Sequence, residues 1–172
     1  MNNLSFHITD ITANSIRANA SEIGLSVEEQ DTRIVIRITD NGLGMDAETA
    51  RRVTNPFYTT RTTRKVGLGL PFLIQNAEQT GGSVTLTSEP GKGTKVRAVF
   101  HSDHIDCPPW GDLPGTVALL ITGNPEINVC FEYRSGETGY SISTNEIKEI
   151  LDGVPLSHPK AVSYTHLTLP TT

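Results

Sequence analysis

The chain has 172 residues, of which 36% are apolar, enough for one packed domain with a short extension. Its formal net charge of −5 gives no positive field, so we expect neither nucleic acid nor a membrane surface as a partner. It lacks the run of about 18 apolar residues needed for a transmembrane helix. The N-terminus lacks the segments of a signal peptide, and the two cysteines are far apart, so we expect a reduced, cytoplasmic protein.

The spacing of apolar residues predicts the first elements of the fold. Residues 4–20 carry apolar side chains at helical spacing. The opposite face of this helix carries four polar side chains, His7, Asp10, Asn14 and Arg17. Alternating isoleucines over 34–38 predict a strand with one buried face, and 23–27 suggest its neighbour. Asp46 is placed to cap a short helix that runs through Val53.

The next elements follow a loop that is rich in threonine and basic residues. A helix starts near Leu70, has Pro71 in its first turn and ends at the glycine pair 81–82. Alternating apolar residues at 84–86 and 96–100 predict two strands joined by the turn EPGKGT. This order of elements indicates an α+β fold with a mixed or antiparallel sheet that carries its helices on one face.

A proline-containing boundary, SDHIDCPPWGD, separates these elements from a second unit over 102–160. The pattern beyond the boundary predicts a helix, two strands and a helix near 113–122, 127–134, 138–143 and 145–151. This small α/β extension has few residues for a core of its own, and its role cannot be inferred from the sequence. Trp110 beside two prolines fits either a docking edge or a corner where the two units pack.

The last residues, VSYTHLTLPTT, have the pattern of neither a helix nor a strand. They match the translation of a sequencing adapter. We therefore predict that residues 161–172 are not native and that the natural C-terminus is missing from this sequence. Resequencing the locus tests this prediction, which fails if the stretch is encoded in the genome.

The motif DNGLGM follows the strand at 34–38 directly. Gly42 and Gly44 lack side chains, so the backbone there can approach a flat ligand closely. Asp40, at the end of the strand, is placed to accept a hydrogen bond from an exocyclic amine. An ordinary Asn-Gly turn explains the same motif equally well when it is taken alone.

The polar face of the first helix contains two further candidates. The side-chain oxygen of Asn14 suits one position on Mg²⁺, which otherwise keeps waters and phosphate oxygens. Asp10, one turn earlier, is placed to orient or deprotonate a water. For either residue alone, a solvated helix face is the commoner explanation.

The stretch TTRTTRKVGLGL has features of a phosphate-binding loop. It lacks the lysine of a P-loop and the third glycine of a dinucleotide fingerprint. Gly67 and Gly69 nevertheless precede a helix, whose free N–H groups and dipole favour phosphate. Arg61, Arg64 and Lys65 add positive charge. A mobile, solvated loop is the alternative interpretation.

Five motifs in this order, DITANSIRANA, DNGLGM, NPFYTT, VGLGLPF and GKGT, resemble the N, G1, F, G2 and G3 boxes of the GHKL ATPases. That family includes sensor histidine kinases, gyrase-type topoisomerases, mismatch-repair ATPases and anti-sigma kinases. The resemblance covers about residues 4–101. It implies the Bergerat fold, a two-layer α/β sandwich whose mixed, mostly antiparallel sheet has helices on one face. ATP and Mg²⁺ lie between the sheet and a lid.

The resemblance also implies which residues bind the nucleotide. It places the adenine-binding carboxylate at Asp40, Gly42 and Gly44 against the base, and Thr94 near the adenine. Asn14 becomes the magnesium ligand. The stretch TTRTTRKVGLGL becomes the ATP lid. At the lid the expected residues are Phe57, Arg61, Arg64, Lys65, Gly67, Leu68 and Gly69.

Two departures from the family pattern bear on function. Asp10 stands where hydrolysing members usually carry glutamate, and a misplacement of about 1 Å can cost on the order of 100-fold in rate. The first predicted helix begins at residue 4, with no room upstream for a dimerising hairpin and its phosphoacceptor histidine. We therefore do not expect a self-sufficient sensor histidine kinase or efficient hydrolysis.

We expect a stand-alone Mg-ATP-binding protein that transfers a phosphoryl group to a partner protein, as anti-sigma kinases do. One alternative is an ATP-gated interaction module that changes partner binding without turnover. A slow ATPase acting through Asp10 lies between the two. The sequence identifies neither the partner nor the acceptor residue.

Overall fold

The computed structural model describes residues 3–54 and 69–151. The elements are α1 (Leu4–Arg17), β1 (Glu22–Gln30), β2 (Arg33–Asp40), α2 (Ala47–Thr54), α3 (Gly69–Gln79), β3 (Ser83–Glu89), β4 (Gly93–His101), α4 (Leu113–Gly123), β5 (Asn128–Ser135), β6 (Thr138–Ser143) and α5 (Thr144–Leu151). They agree closely with the elements that the apolar spacing predicts. None of the described helices is long and apolar enough to cross a membrane.

The strands form one six-stranded sheet in the order β3-β4-β2-β1-β5-β6. Its neighbours are antiparallel except β1 and β5, which run parallel, so the sheet is mixed and mostly antiparallel. The register aligns alternate apolar residues: Leu25 lies opposite Ile38, and Ile36 opposite Ala98. Helices cover this apolar face, which confirms the predicted α+β sandwich.

Helix α1 lies against the sheet through an apolar stripe. Leu4, Ile8 and Ile11 are buried at one-turn intervals, because residues three or four apart share a helix face. The Asn3 side chain caps the helix by accepting from Phe6 N–H. The helix ends at Arg17, earlier than the predicted residue 20, because Asn19 adopts a left-handed φ of 62°.

The extension continues the sheet of the first unit. Strand β5 pairs with β1 along its length, with Val129 opposite Ile23. Helix α4 packs against α1. Trp110 lies at the junction, where its Nε1 donates to Glu29 Oε1 at 2.6 Å and its carbonyl accepts from Ser5 N–H. These contacts favour the packing-corner interpretation of the Trp110 segment.

Candidate functional site

The carboxylate of Asp40 is held in one orientation at the end of β2. Ser15 Oγ, on α1, donates to Oδ2 at 2.6 Å, and Gly42 N–H donates to Oδ1 at 2.9 Å. A carboxylate has about four acceptor positions, so further positions remain for a ligand. The predicted adenine-binding residue is therefore oriented before any ligand binds.

Ser15 is a site residue that our sequence analysis missed. It follows Ile11 by one helical turn on the core-facing side of α1 and is 3% exposed. A small hydroxyl at such a position is usually satisfied by a backbone carbonyl of the preceding turn. In the sequence, Ser15 is recognisable only as a polar residue in line with the apolar stripe of the first helix. That position does not indicate that its hydroxyl donates to Asp40.

The two glycines after Asp40 allow close approaches between backbone segments. A Cβ on Gly44, whose φ is +72°, would lie 1.9 Å from Glu89 O in the β3–β4 hairpin. A Cβ on Gly42 would lie 2.7 Å from Ala18 O at the end of α1. The loop after β2 therefore needs both glycines to pack against its neighbours, in addition to any role at a ligand.

The β3–β4 hairpin forms the opposite wall of the site. Thr94 lies directly across from Asp40 in the strand register, and its Oγ1 is 2.8 Å from Ser88 Oγ. Met45 N–H donates to the same Ser88 hydroxyl at 2.8 Å. This shared hydroxyl fixes the loop after β2 to the hairpin, so Asp40, Gly44 and Thr94 lie close together.

A cavity of about 290 Å³ lies among these elements. Asn14, Gly44 and Thr94 line it, and so do the apolar side chains of Met45 and Leu70. An apolar pocket with a few polar groups, at the lower end of the ~300–1000 Å³ range, is typical of small-molecule sites. Asp40 and Thr94 also border an adjoining cavity of about 330 Å³.

Asp10 lies beside the N-terminus of α3. A Cβ on Gly69 would lie 2.8 Å from Asp10 Cβ and 3.4 Å from its Oδ2, so only glycine fits there. Burial raises the pKa of the Asp10 carboxyl, and the positive charge of Arg17 opposes that rise. A carboxylate with a raised pKa is a stronger base, so burial favours proton acceptance by Asp10.

Asn14 is engaged by a neighbouring cation. Arg17 Nη2 donates to Asn14 Oδ1, the atom that would contact a metal ion. Within residues 3–54 and 69–151, there is no group of three or more histidine, cysteine or acidic residues that could hold a metal. The residues present therefore fit only a magnesium ion that takes most of its ligands from water and phosphate.

The remaining predicted residues belong to the lid. Gly69 is described, at the first position of α3. The others lie outside the described residues and stay predictions: Phe57, Arg61, Arg64, Lys65, Gly67 and Leu68. Arg17, which lines the cavity, was assigned no nucleotide contact by the resemblance, although the sequence places it on the same helix face as Asn14.

Curated relatives align with about half of the chain. The Sensor histidine kinase YxdK of Bacillus subtilis (strain 168) is 29% identical over 104 residues, 56% of this chain and 32% of that protein. The Sensor kinase CckA of Brucella abortus (strain 2308) is 34% identical over 91 residues, 52% of this chain and 10% of that protein. The chain thus matches less than a third of the length of either relative.

Solved structures share the fold. The Aquifex aeolicus MutL ATPase domain complexed with ADP has a TM-score of 0.51 at 16% identity, covering 88% of this chain and 69% of that one. The N-terminal domain of a DNA repair protein has a TM-score of 0.59 at 16% identity, covering 82% of this chain and 51% of that one.

Residues 3–104 match the family described as Histidine kinase-, DNA gyrase B-, and HSP90-like ATPase. This range contains all five boxes on which the resemblance to the GHKL ATPases was based, and the relative from Bacillus subtilis is a sensor histidine kinase. The chain belongs to the Histidine kinase-, DNA gyrase B-, and HSP90-like ATPase family.

Proposed function

We propose that this protein binds Mg-ATP and transfers the γ-phosphoryl group to a partner protein, in the manner of an anti-sigma kinase. Its family is one of ATPases, which supports ATP as the nucleotide. One observation carries the proposal: the Asp10 carboxyl lies against Gly69 at the N-terminus of α3. A helix N-terminus favours phosphate, so a base and a phosphate-binding position meet there.

At the adenine end, the proposal uses the oriented carboxylate. Asp40 accepts a hydrogen bond from the exocyclic amine of the base, while Ser15 and Gly42 hold the carboxylate in place. Thr94 lies across from Asp40 in the register and borders both cavities. A hydrogen-bonded polar anchor in an apolar pocket distinguishes adenine from bases that lack the amine.

At the phosphate end, Asn14 would hold the magnesium ion through Oδ1, the atom that now accepts from Arg17 Nη2. Such an ion would supply positive charge that neutralises the phosphates. Arg17 lines the same cavity, so its guanidinium can pair with a phosphate once it is released from Asn14. Asp10 takes the proton of the partner's acceptor group as that group forms a bond to the γ-phosphorus. The bond between this phosphorus and the ADP oxygen breaks, and ADP leaves.

An ATP-gated interaction module is the second candidate. The contact between Arg17 and Asn14 favours it, because metal binding must break this contact and so couples ligand binding to a rearrangement on α1. Asp10 in place of the longer glutamate also favours binding without fast turnover. In this candidate, nucleotide changes partner affinity and no phosphoryl group moves.

Removing the base tests the two candidates. We expect Asp10→Asn to bind an ATP analogue with nearly native affinity and to form ADP at least about 100-fold more slowly, with water as the acceptor. Asp31→Asn is the matched control, because Asp31 lies in the β1–β2 turn with a φ of 54° that asparagine tolerates equally well. The measurements are calorimetric titration and chromatographic detection of ADP.

Each outcome separates the candidates. ADP formation that needs Asp10 but not Asp31 supports a catalytic centre at α1. If ATP binds tightly and both variants form ADP at the same measurable rate, Asp10 is not the base. The phosphotransfer proposal then fails and the gated module is favoured.

A further inference from the structure

Three basic residues adjoin one another on the open face of the sheet, on the side away from the buried isoleucines; Arg33 and Arg134 lie farther away on the same face. Arg37 on β2 lies directly opposite Arg97 on β4, and Lys95 precedes Arg97 by two residues on the same face. We call Arg37, Lys95 and Arg97 the basic cluster. Its strands have neighbours on both sides, so these charges do not serve to protect a sheet edge.

The basic cluster lacks a counter-charge in the described part of the chain. None of its three side chains takes part in a hydrogen bond or ion pair among residues 3–54 and 69–151. Arg52, by contrast, pairs with Glu48. Like charges directly opposite each other destabilise a strand pair, so an anion at this position would relieve the repulsion.

The surroundings of the cluster increase its attraction for an anion. Arg37 and Arg97 are half-buried, and the buried Val35 and Val99 lie beside them on the same face. Partly desolvated guanidinium groups interact more strongly with carboxylates than fully hydrated ones do. The planar guanidinium also matches a carboxylate in two parallel hydrogen bonds.

The positive charge is confined to a small area. Strand β1, beside β2, and strand β5, on the far side of β1, present Glu28 and Glu132 on the same open face. These carboxylates and the net charge of −5 would repel a long polyanion such as a nucleic acid backbone. A short anionic segment could reach the cluster without passing over them.

The spacing of the charges fits an extended peptide. Lys95 and Arg97 are two residues apart on one strand, a rise of about 7 Å. Alternate side chains of an extended acidic segment have the same repeat. Arg37 lies about 5 Å to the side of Arg97, so it can share a carboxylate with Arg97.

We propose that the basic cluster docks a short, extended acidic segment of a partner protein on the open face of the sheet. This interaction does not rest on the proposed phosphoryl transfer. Arg37 and Arg97 line neither cavity of the candidate site, and Lys95 lines only the adjoining one. It defines a docking surface and the chemistry of its partner.

Binding of a fluorescein-labelled octaglutamate peptide to the full chain tests the proposal, measured by fluorescence anisotropy at low ionic strength. We expect saturable binding that weakens as salt is added. Arg97→Glu should weaken binding at least about tenfold. The control Arg134→Glu changes the same charge on the same face, but Arg134 already faces Glu28 in the register, so we expect less than about a twofold change.

Titration of each variant with an ATP analogue keeps the two proposals distinguishable. Unchanged affinity for the analogue shows that the variant is folded, whether or not phosphoryl transfer occurs. If Arg97→Glu loses analogue binding, the milder Arg97→Gln variant replaces it, with the same expected loss of peptide binding.

Four outcomes would overturn the proposal. The first is no binding of octaglutamate to the native chain, and the second is an equal loss of octaglutamate affinity in Arg97→Glu and Arg134→Glu. The third is tighter binding of a duplex DNA oligonucleotide at the same cluster. The fourth is self-association, seen by light scattering, that Arg97→Glu abolishes and octaglutamate does not inhibit. The last two would assign the cluster to a nucleic acid or to a second copy of the chain.

Discussion

Asp40 illustrates how a single side chain is prepared for a ligand. Its carboxylate accepts from Ser15 and from Gly42 N–H, and these bonds come from two different segments of the chain. An anionic acceptor that is already oriented loses less freedom on binding than a side chain that must be ordered. The buried hydroxyl of Ser15 also gains a charge-assisted hydrogen bond.

At this scale we predict the effect of Asp40→Asn. The amide presents a donor as well as an acceptor, so it must either lose the bond from Ser15 or Gly42 or turn a donor toward the adenine amine. We expect affinity for an ATP analogue to fall at least about tenfold, because a bond to a charged group contributes about 1.5–3 kcal/mol. Calorimetric titration measures the affinity for the analogue, with Asp31→Asn as the control. Native affinity in Asp40→Asn would show that the base is bound elsewhere.

The β3–β4 hairpin depends on the second glycine of its GKGT turn. Gly93 has a φ of +116°, and a Cβ there would lie 1.9 Å from Asp40 O. Gly91, in the same hairpin, also has a positive φ of +78°, but a Cβ there would have no heavy atom within 4 Å. Substituting each glycine in turn therefore distinguishes the cost of backbone strain, which both positions share, from the cost of a steric clash, which arises only at Gly93.

At the scale of this element we predict that Gly93→Ala destabilises the protein more than Gly91→Ala does. Both substitutions impose a positive φ on alanine, at about 1 kcal/mol, but only Gly93→Ala also pushes the hairpin away from Asp40. We expect Gly93→Ala to lose at least about 2 kcal/mol of unfolding free energy. Urea denaturation of both variants measures the difference. Equal losses would mean that the hairpin accommodates the methyl group without cost.

A buried histidine links the two helices that flank the phosphate end of the site. His7 Nε2, on α1, accepts from Asn76 Nδ2, on α3, at 2.7 Å. The ring is 1% exposed and packs against Phe72 and Phe100. Burial lowers the pKa of His7 to about 4. The histidine is therefore neutral in the folded protein at neutral pH, and protonation would remove the acceptor that Asn76 uses.

This link predicts the direction of a pH effect. The pKa of His7 is lower in the folded chain than in the unfolded chain, so the unfolded chain binds more protons below about pH 6.5. The stability contributed by neutral His7 is present above about pH 6.5 and is lost as the pH falls toward 4. We expect the unfolding free energy to drop less between pH 7 and pH 5 in His7→Gln than in the native chain. An equal drop in both would exclude His7 as the cause.

At the scale of the whole molecule, the extension and the family domain share one sheet. Strand β5 pairs with β1 over eight residue positions, from Glu22 opposite Asn128 to Glu29 opposite Ser135. Glu29 accepts from both Trp110 Nε1 and Tyr133 Oη, which joins β1 to the boundary segment and to β5. Burial, and then the bond to Glu29, raise the pKa of Tyr133 to about 12, so its hydroxyl stays protonated and keeps donating.

We therefore predict one cooperative unfolding transition for both parts of the chain. Trp110 is the only tryptophan, so fluorescence reports on the junction, while far-UV circular dichroism reports on all helices and strands. We expect the two urea curves to coincide. Glu29→Gln should lower both midpoints together, because it weakens the two bonds at the junction. Fluorescence and dichroism curves with separate midpoints would show that the extension folds independently of the first unit.

The elements themselves were predictable from local patterns. The alternation of isoleucines at 34–38 and the three- and four-residue spacing from Leu4 to Ile11 depend on geometry that each segment carries alone. Asp46 was predicted as a helix cap, and its Oδ1 accepts from Thr49 N–H at 2.8 Å at the start of α2. The end of α1 was predicted less well, because Asn19 can continue a helix or leave it.

The sequence by itself determined the order and kind of the elements, and its five boxes indicated the ATPase family, because periodicity and motif spacing are local properties. The tertiary structure alone decided that Ser15 holds Asp40, that Asp10 touches Gly69, and that Arg37 faces Arg97. It also decided that β5 joins β1 in parallel. Such contacts join residues far apart in the chain, and they depend on how helices and strands pack together, which no local pattern specifies.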